Sequence, residues 1–145
     1  AWALEERAAV QDAACRGPLT AAAACRAALA AWTRSIDVAP ANPVLRRGRG
    51  RLQDFLGDPS AAEADLERAV ALEPNYLGAR LDLARVLSGA GRIDEGRAQL
   101  IETRERISKL AGTKPQSPYE ATLLRLSRDE ALDLRGRLKA LGADH

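Results

Sequence analysis

The sequence has no methionine, a single histidine and few aromatic residues. Of 145 residues only one is Phe, two are Trp and two are Tyr, although 46% are hydrophobic because alanine is abundant. A β-sandwich would need more Val, Ile, Thr and aromatic side chains, so a core of Ala and Leu favours closely packed helices. No apolar run approaches the roughly 20 residues of a membrane span. Charged residues of both signs make up 29% of the chain, which argues against disorder.

Chemistry that depends on histidine has little support in this sequence. His145 is the only histidine and the last residue, so no nucleophile has a positioned histidine base. Two cysteines and a terminal histidine make a poor zinc site, because zinc usually has four protein ligands in a structural site and three in a catalytic one. No glycine-rich phosphate loop is present, because Gly48-Arg49-Gly50 falls inside a predicted helix. We therefore expect a protein that is not an enzyme and that binds no cofactor or metal.

The two cysteines, Cys15 and Cys25, flank a predicted turn at Gly17-Pro18. In a helical hairpin around this turn, their Cα atoms would fit the roughly 4.4–6.8 Å of a disulfide. The alternative is a pair of buried thiols in an alanine-rich helix contact. A disulfide would favour an extracytoplasmic, periplasmic location over the cytoplasm. A chain that starts at Ala1 without methionine is expected to be a processed protein or a piece of a longer one.

Proline, glycine and capping residues divide the chain into eight predicted helices. Thr20, Asp58, Ser117 and Ser127 each precede a helical pattern as N-cap residues, and Pro43 suits a first helical turn. The predicted helices cover about residues 3–15, 20–38, 43–56, 59–72, 77–90 and 94–111, and two tail helices begin at Pro118 and Arg128. No β-type alternation is present in the sequence, so we expect antiparallel helical hairpins.

The middle of the chain repeats with a period of about 34 residues. Pro40 and Pro74 end apolar helical segments one such period apart, and Gly57 and Gly91 occupy predicted turns at the same spacing. Residues of similar size share this spacing, in the pairs Gly50 with Ala84, Ala62 with Gly96, and Leu66 with Leu100. In these small, large, small and proline positions the chain resembles the tetratricopeptide-repeat family over about residues 20–110. Stacked hairpins of this kind bury apolar faces that one hairpin leaves open.

The resemblance implies an all-α solenoid of antiparallel helix hairpins that forms a single domain over residues 1–145. About three hairpins and a C-terminal helical pair would make up this solenoid. The parts are an atypical N-terminal hairpin at 1–42, repeats at 43–76 and 77–112, and capping helices at 117–142. The aromatic residue that is usual in the first helix of the repeat is replaced by Arg46 and Arg80.

A binding groove is implied by the same resemblance. In the family, the first helices of successive repeats line a concave groove that holds a peptide or a partner helix. The family pattern implies that Arg47, Arg51 and Arg85 face this groove, with Asp82 nearby. Four arginines and one aspartate lie within 43–56. Such a basic groove favours an acidic peptide or a terminal carboxylate, because guanidinium binds carboxylate bidentately.

Two features of the sequence oppose specific recognition by these arginines. Residues 57–75 contain five acids and one arginine, so the arginines could instead form ion pairs along a solvated surface with acids of this segment: Asp65, Glu67 and Glu63. Chaperone-binding members of the family clamp a C-terminal carboxylate with asparagine and lysine. Gly48 and Asp82 stand where asparagine would be, so that clamp is in doubt here.

The predicted function is that of a non-catalytic scaffold or adaptor, such as a bacterial extracytoplasmic assembly factor, whose partner is another protein or an acidic peptide. Two alternatives stay open: a self-assembling module that stacks through Trp2 and Trp32, and a cytoplasmic secretion-type chaperone on a similar fold. Nucleic-acid binding is less expected, because the net charge is only +2, acids are interspersed among the arginines, and stacking aromatic residues are missing.

Overall fold

The computed structural model describes residues 2–17 and 22–142, except for the side chains of Trp2 and Leu4. All regular secondary structure in these ranges is helical. The eight helices found there are α1 (Trp2–Cys15), α2 (Ala22–Val38), α3 (Pro43–Phe55), α4 (Pro59–Leu72), α5 (Leu77–Gly89), α6 (Ile93–Leu110), α7 (Pro118–Leu124) and α8 (Arg128–Ala140). The predicted all-α fold is thereby confirmed. Pro18, the N-cap Thr20 and His145 lie outside the described residues.

The contacts divide the chain into two compact units, Ala1–Leu72 and Glu73–His145, and each is described by itself below. The first unit holds α1–α4, including the predicted repeat at 43–76 as far as the end of α4. The second holds the repeat at 77–112, as α5 and α6, and the tail helices α7 and α8. The single domain expected over residues 1–145 stays a prediction.

The third helix begins where the local sequence signals place its start. Asn42 accepts a hydrogen bond from the backbone N–H of Val44 at 3.0 Å, while Pro43 occupies the first turn of α3. In α4 the carboxylate of Asp58 accepts a hydrogen bond from the backbone N–H of Ala61 at 3.2 Å. These side chains satisfy helix N–H groups that have no partner within the helix, which is why both boundaries are readable from sequence.

Two glycines that lie one repeat period apart occupy equivalent turns of the two repeats. Gly57 follows α3 with φ of 81°, and Gly91 follows α5 with φ of 82°. This left-handed region is strained for residues that carry a β-carbon, so both turns require glycine. Inside α3, Gly50 serves packing instead: a β-carbon built there would lie 3.0 Å from Cγ of Leu66 on α4. The repeated small positions therefore have two roles: Gly57 and Gly91 permit the turns, and Gly50 permits the close approach of α3 and α4.

In the first unit, α1 packs against α2, α2 against α3, and α3 against α4. Small and aliphatic side chains surround one large ring, that of Trp32, which is 5% exposed. The other core members include Ala8, Ala28, Ile36, Leu45 and Leu52. The indole Nε1 of Trp32 donates a hydrogen bond to the carboxylate of Asp12 at 2.9 Å. Trp32 is thus a core residue and offers no surface for the stacking expected of it, whereas the side chain of Trp2 lies outside the described part of the chain.

A disulfide joins α1 to α2 at one end of their hairpin. The Sγ atoms of Cys15 and Cys25 are 2.04 Å apart and the Cα atoms 4.6 Å apart. Cys15 is fully buried and Cys25 is 5% exposed, so both sulfurs belong to the core of the first unit. Of the two arrangements open at the level of sequence, the structure therefore contains the bonded one.

In the second unit, α5 and α6 form the main hairpin, and α8 packs against both helices. The core consists of aliphatic side chains from these three helices: Leu81, Ala84, Leu100, Leu134 and Leu138. Helix α8 begins with a reciprocal cap, in which Ser127 Oγ accepts from Glu130 N at 3.1 Å and Glu130 accepts from Ser127 N at 3.2 Å. The tail helix predicted from Ser127 is therefore held in place by its own cap and by the core.

Candidate functional site

The residues predicted to line the binding groove come from two helices. Arg47 and Arg51 lie on α3 in the first unit, and Asp82 and Arg85 lie on α5 in the second. Each pair therefore belongs to a different compact unit.

Two of the four arginines on α3 are bound to one carboxylate of α4. Arg49 binds Asp65 bidentately, with Nε to Oδ2 at 2.6 Å and Nη2 to Oδ1 at 2.8 Å. Arg46 reaches the same carboxylate through Nη1 at 3.4 Å. The side chain of Asp65 is only 6% exposed, so this buried charge is stabilised by the arginines around it. The hydrogen bond with Asp65 raises the pKa of Arg49 further above its ordinary value. Arg46 and Arg49 thus form ion pairs with Asp65, as the alternative to ligand recognition predicted.

Arg47 and Arg51 lie on a different side of α3. At 100° per residue they are separated by about 40° from each other and by roughly 150° from the mean direction of Arg46 and Arg49. Arg51 is exposed and Arg47 is half-buried. The helix therefore sorts its arginines into a pair that fixes α3 to α4 and a pair that is directed elsewhere.

Position 48 of α3 has no room for a side chain. A β-carbon built on Gly48 would lie 2.4 Å from Cη2 of Trp32, well inside van der Waals contact. The asparagine that the family resemblance implies at this position would therefore displace the indole ring. The sequence shows that asparagine is missing at position 48, but it does not show that the Trp32 ring fills the space for a side chain. The available signal was a glycine inside a helix, which often marks a close approach of another element.

On α5, Asp82 is buried and Arg85 is partly exposed. Arg85 Nη2 donates to Asp82 Oδ1 at 2.7 Å, and the side chains are 37% and 5% exposed respectively. A buried carboxylate needs such a partner to remain charged. The position of Arg85 is thus tied to Asp82 within the second unit. Their predicted role in a shared groove with Arg47 and Arg51 stays a prediction.

Arg80 has a structural role that sequence analysis did not foresee. It is 7% exposed and takes the place of the usual aromatic residue. Its Nε donates to the carbonyl of Pro74 at 2.7 Å, and its Nη1 to Oε1 of Gln99 at 3.1 Å. Burial, together with the nearby charge of Arg106, lowers the pKa of Arg80. Arg80 therefore links the segment before α5 to α6 by hydrogen bonds where the family uses ring packing.

Neither a metal site nor a membrane span is found in the part of the chain that the structure describes. No group of three or more His, Cys, Asp or Glu residues there is arranged to hold an ion. Among the same residues, no helix combines the length and the apolar character needed to cross a bilayer.

Sequence comparison agrees with the repeat period and with the paired helices. The sequence profile of the tetratricopeptide repeat matches residues 56–109. This chain carries a tetratricopeptide repeat. The resemblance stated from the sequence is thereby confirmed, and the matched region contains α4, α5 and most of α6. A search of curated proteins finds no match to the chain.

Solved structures of tetratricopeptide proteins share the fold at low identity. The first such domain of Spaghetti (RPAP3), bound to the HSP90 peptide SRMEEVD, has a TM-score of 0.66 and 20% identity, with 97% of this chain and 92% of that chain covered. A mutant O-GlcNAc transferase from Thermobaculum terrenum has a TM-score of 0.59 and 21% identity, with 93% and 26% covered. MamA has a TM-score of 0.54 and 20% identity, with 84% and 72% covered. At these identities the likeness is one of fold.

In general terms the fold supports a protein-interaction scaffold. Tetratricopeptide domains are in general non-catalytic protein-interaction modules, although one of the similar structures is that of a transferase. In the first unit the buried carboxylate of Asp65 joins α3 to α4, whereas in the second the buried Asp82 pairs with Arg85 on the same helix.

Proposed function

We propose that this chain is a non-catalytic scaffold or adaptor that binds an acidic segment of another protein through Arg47 and Arg51. The observation that supports this is the sorting of the arginines on α3. Arg46 and Arg49 stabilise the buried Asp65, whereas Arg47 and Arg51 are one turn apart on another side of the helix, and Arg51 is exposed. Two guanidinium groups at this spacing suit two carboxylates of an extended peptide.

The chemistry of the segment can be specified further. A fold neighbour binds the peptide SRMEEVD, which has more acidic than basic side chains. At position 48 this chain has glycine beneath the Trp32 ring in place of the asparagine that helps clamp a C-terminal carboxylate. We therefore expect recognition of acidic side chains, with little contribution from the C-terminal carboxylate of the peptide.

Three peptides test the proposal by isothermal titration calorimetry: SRMEEVD, the same peptide with an amidated C-terminus, and SRMQQVN, in which the acids are replaced by amides. We expect amidation of the C-terminus to change Kd by less than about threefold. Replacement of the acidic side chains should weaken binding about tenfold or more, since each charge-assisted hydrogen bond contributes about 1.5 kcal/mol or more.

Variants of the chain identify the surface. Arg47→Gln/Arg51→Gln should weaken binding of SRMEEVD about tenfold or more. Arg26→Gln/Arg34→Gln on α2 removes the same charge from exposed positions and should leave Kd within about twofold. Equal weakening of SRMEEVD binding by both double variants would mean that net charge alone explains the effect. Unchanged binding by Arg47→Gln/Arg51→Gln would refute the proposed site. Thermal melts of each variant report whether the fold is retained.

We also propose an extracytoplasmic, periplasmic location. The support is the disulfide between Cys15 and Cys25, since such bonds persist in oxidising compartments and are rare in the cytosol. Alkylation of the protein taken directly from its source cells tests this, under denaturing conditions that expose the buried sulfurs. We expect no label before reduction and two labels after it. Two labels without prior reduction would place the protein in a reducing compartment and contradict the proposal.

A further inference from the structure

The second unit contains a groove between α6 and α8 that the proposed site on α3 does not use. A cavity of about 310 Å³ lies between Arg104 and Ile107 of α6 and Leu134 and Leu138 of α8. A second cavity of about 400 Å³ lies between the end of α6, the connector that follows it and the start of α8. Both cavities are lined by Ile107 and by Ala131, so they adjoin, and together they are called here the α6–α8 groove.

The floor of the α6–α8 groove is apolar and partly open to solvent. Leu134 and Leu138 form its base and are 5% and 4% exposed. Ile107 is 38% exposed although it is a large aliphatic side chain, and Ala131 is exposed as well. An apolar surface of this kind on a helical domain commonly marks a place where another chain binds.

The charged side chains at the groove are all arginines. Arg104 and Arg135 line the smaller cavity and Arg125 lines the larger one, while no Asp or Glu of the described residues lines either. Of the acids near these arginines along the helices, Asp133 pairs with Arg137 at 3.0 Å and Glu102 with Arg106 at 2.7 Å. Glu130 belongs to the cap of α8, and the exposed Glu105 follows Arg104 without lining either cavity. The groove thus combines an apolar floor with a positive rim, and a partner that fits it must be apolar on one face and acidic beside it.

We propose that the α6–α8 groove binds an acidic amphipathic helix of a partner protein. Along α6 the lining extends from Arg104 to Leu110, and along α8 from Ala131 to Leu138. These lengths correspond to about 10–12 Å, or two helical turns. Two turns accommodate aliphatic anchors at positions i, i+4 and i+7 of a bound helix. Its acidic side chains beside the anchors then meet the three arginines of the rim.

Two synthetic peptides, each about four helical turns long, test the proposal. Both carry leucine at i, i+4, i+7 and i+11; one has glutamate at the flanking positions and the other lysine. We expect saturable binding of the glutamate peptide and at least tenfold weaker binding of the lysine peptide. In ¹⁵N NMR spectra the largest shift changes should fall on Arg104–Thr113 and Leu124–Leu138. Shift changes centred on α3, or equal affinity for both peptides, would overturn the proposal.

Variants separate this groove from the proposed site on α3. Arg125→Gln/Arg135→Gln alters two exposed rim positions and should weaken the glutamate peptide about three- to tenfold. Arg47→Gln/Arg51→Gln removes the same charge on α3; it should weaken SRMEEVD, and it should weaken the glutamate peptide by less than Arg125→Gln/Arg135→Gln does. Ile107→Gln, at a partly exposed position that leaves the buried leucines in place, should weaken both amphipathic peptides.

Self-association is the outcome that would assign the groove to a different occupant. Light scattering over a range of protein concentrations measures it. A dimer that Ile107→Gln dissociates would show that a second copy of this chain fills the groove, and would overturn the proposal. A monomer at concentrations where the glutamate peptide binds supports it. No saturable binding of either amphipathic peptide up to about 1 mM, which corresponds to about −4 kcal/mol, would also overturn it.

Discussion

Gly48 sets how closely α2 and α3 approach in the first unit. A β-carbon at this position would lie 2.4 to 2.7 Å from three atoms of the Trp32 ring. The ring has little freedom to move away, because its Nε1 is bonded to the buried Asp12 at 2.9 Å. Replacing Gly48 by alanine therefore has two opposing effects on stability. Alanine has the better helix propensity, but its methyl group overpacks against an indole ring that is held in place.

We predict that Gly48→Ala lowers the free energy of unfolding by about 1–2 kcal/mol, because overpacking costs about 1–3 kcal/mol and the gain in helix propensity offsets only about 0.5–1 kcal/mol of it. Gly136→Ala on α8 is the matched control, since a β-carbon built there meets open space. It should raise the free energy of unfolding by about 0.5–1 kcal/mol. Urea unfolding followed by circular dichroism measures both changes. Stabilisation of equal size by the two substitutions would show that packing does not require glycine at 48.

The arginines of α3 show what the sequence reveals about single residues and what it does not. The repeat period correctly predicted that Arg46, Arg47, Arg49 and Arg51 share one helix. Asp65 was one of three acids expected as ion-pair partners along a solvated surface, but the sequence did not reveal that its carboxylate is buried or that it binds Arg46 and Arg49. Asp65 is 19 positions from Arg46, and the pairing depends on how α4 packs against α3. Contacts of this kind are decided by tertiary packing, which residue spacing alone does not specify.

At the scale of elements, helix boundaries were predictable because their signals are local. Ser127 and Glu130 exchange hydrogen bonds within four residues, and Asn42 caps α3 two residues away from its donor, Val44. Each signal is complete within a short stretch of sequence. The predicted start at Asp94 and the observed start of α6 at Ile93 accordingly differ by a single residue.

The burial of a whole helix was harder to predict than its ends. Sequence periodicity gives α5 one apolar stripe, formed by Leu77, Leu81, Ala84 and Leu87. In the structure these residues are buried, and so are Leu83 and Val86 together with the charged Arg80 and Asp82. Helices α6, α7 and α8 all contact α5. A helix packed on several sides buries residues outside its main stripe, and its neighbours lie too far along the chain for periodicity to show.

At the scale of the whole molecule, each compact unit has its own core and its own bond or network that ties helices together. In the first unit the disulfide connects α1 to α2, across a sequence separation of ten residues. In the second unit Arg80 links the segment before α5 to α6 by hydrogen bonds. The disulfide and the hydrogen bonds of Arg80 therefore stabilise different units. We expect loss of the disulfide to lower stability mainly in α1 and α2.

We predict that Cys15→Ala/Cys25→Ala destabilises the first unit by about 2.5–3 kcal/mol, because the unfolded chain regains the entropy of a loop of about ten residues. Hydrogen exchange in the regime that reports opening equilibria should show protection in α1 and α2 reduced by about a hundredfold. Protection in α5 and α6 should change by less than about threefold, since no atom of the bridge belongs to the second unit. The variant is preferred to chemical reduction because both sulfurs are buried and a reductant would reach them only after opening. Equal loss of protection in all four helices would mean that the chain opens as one cooperative body, in which case the bridge would stabilise the second unit as much as the first.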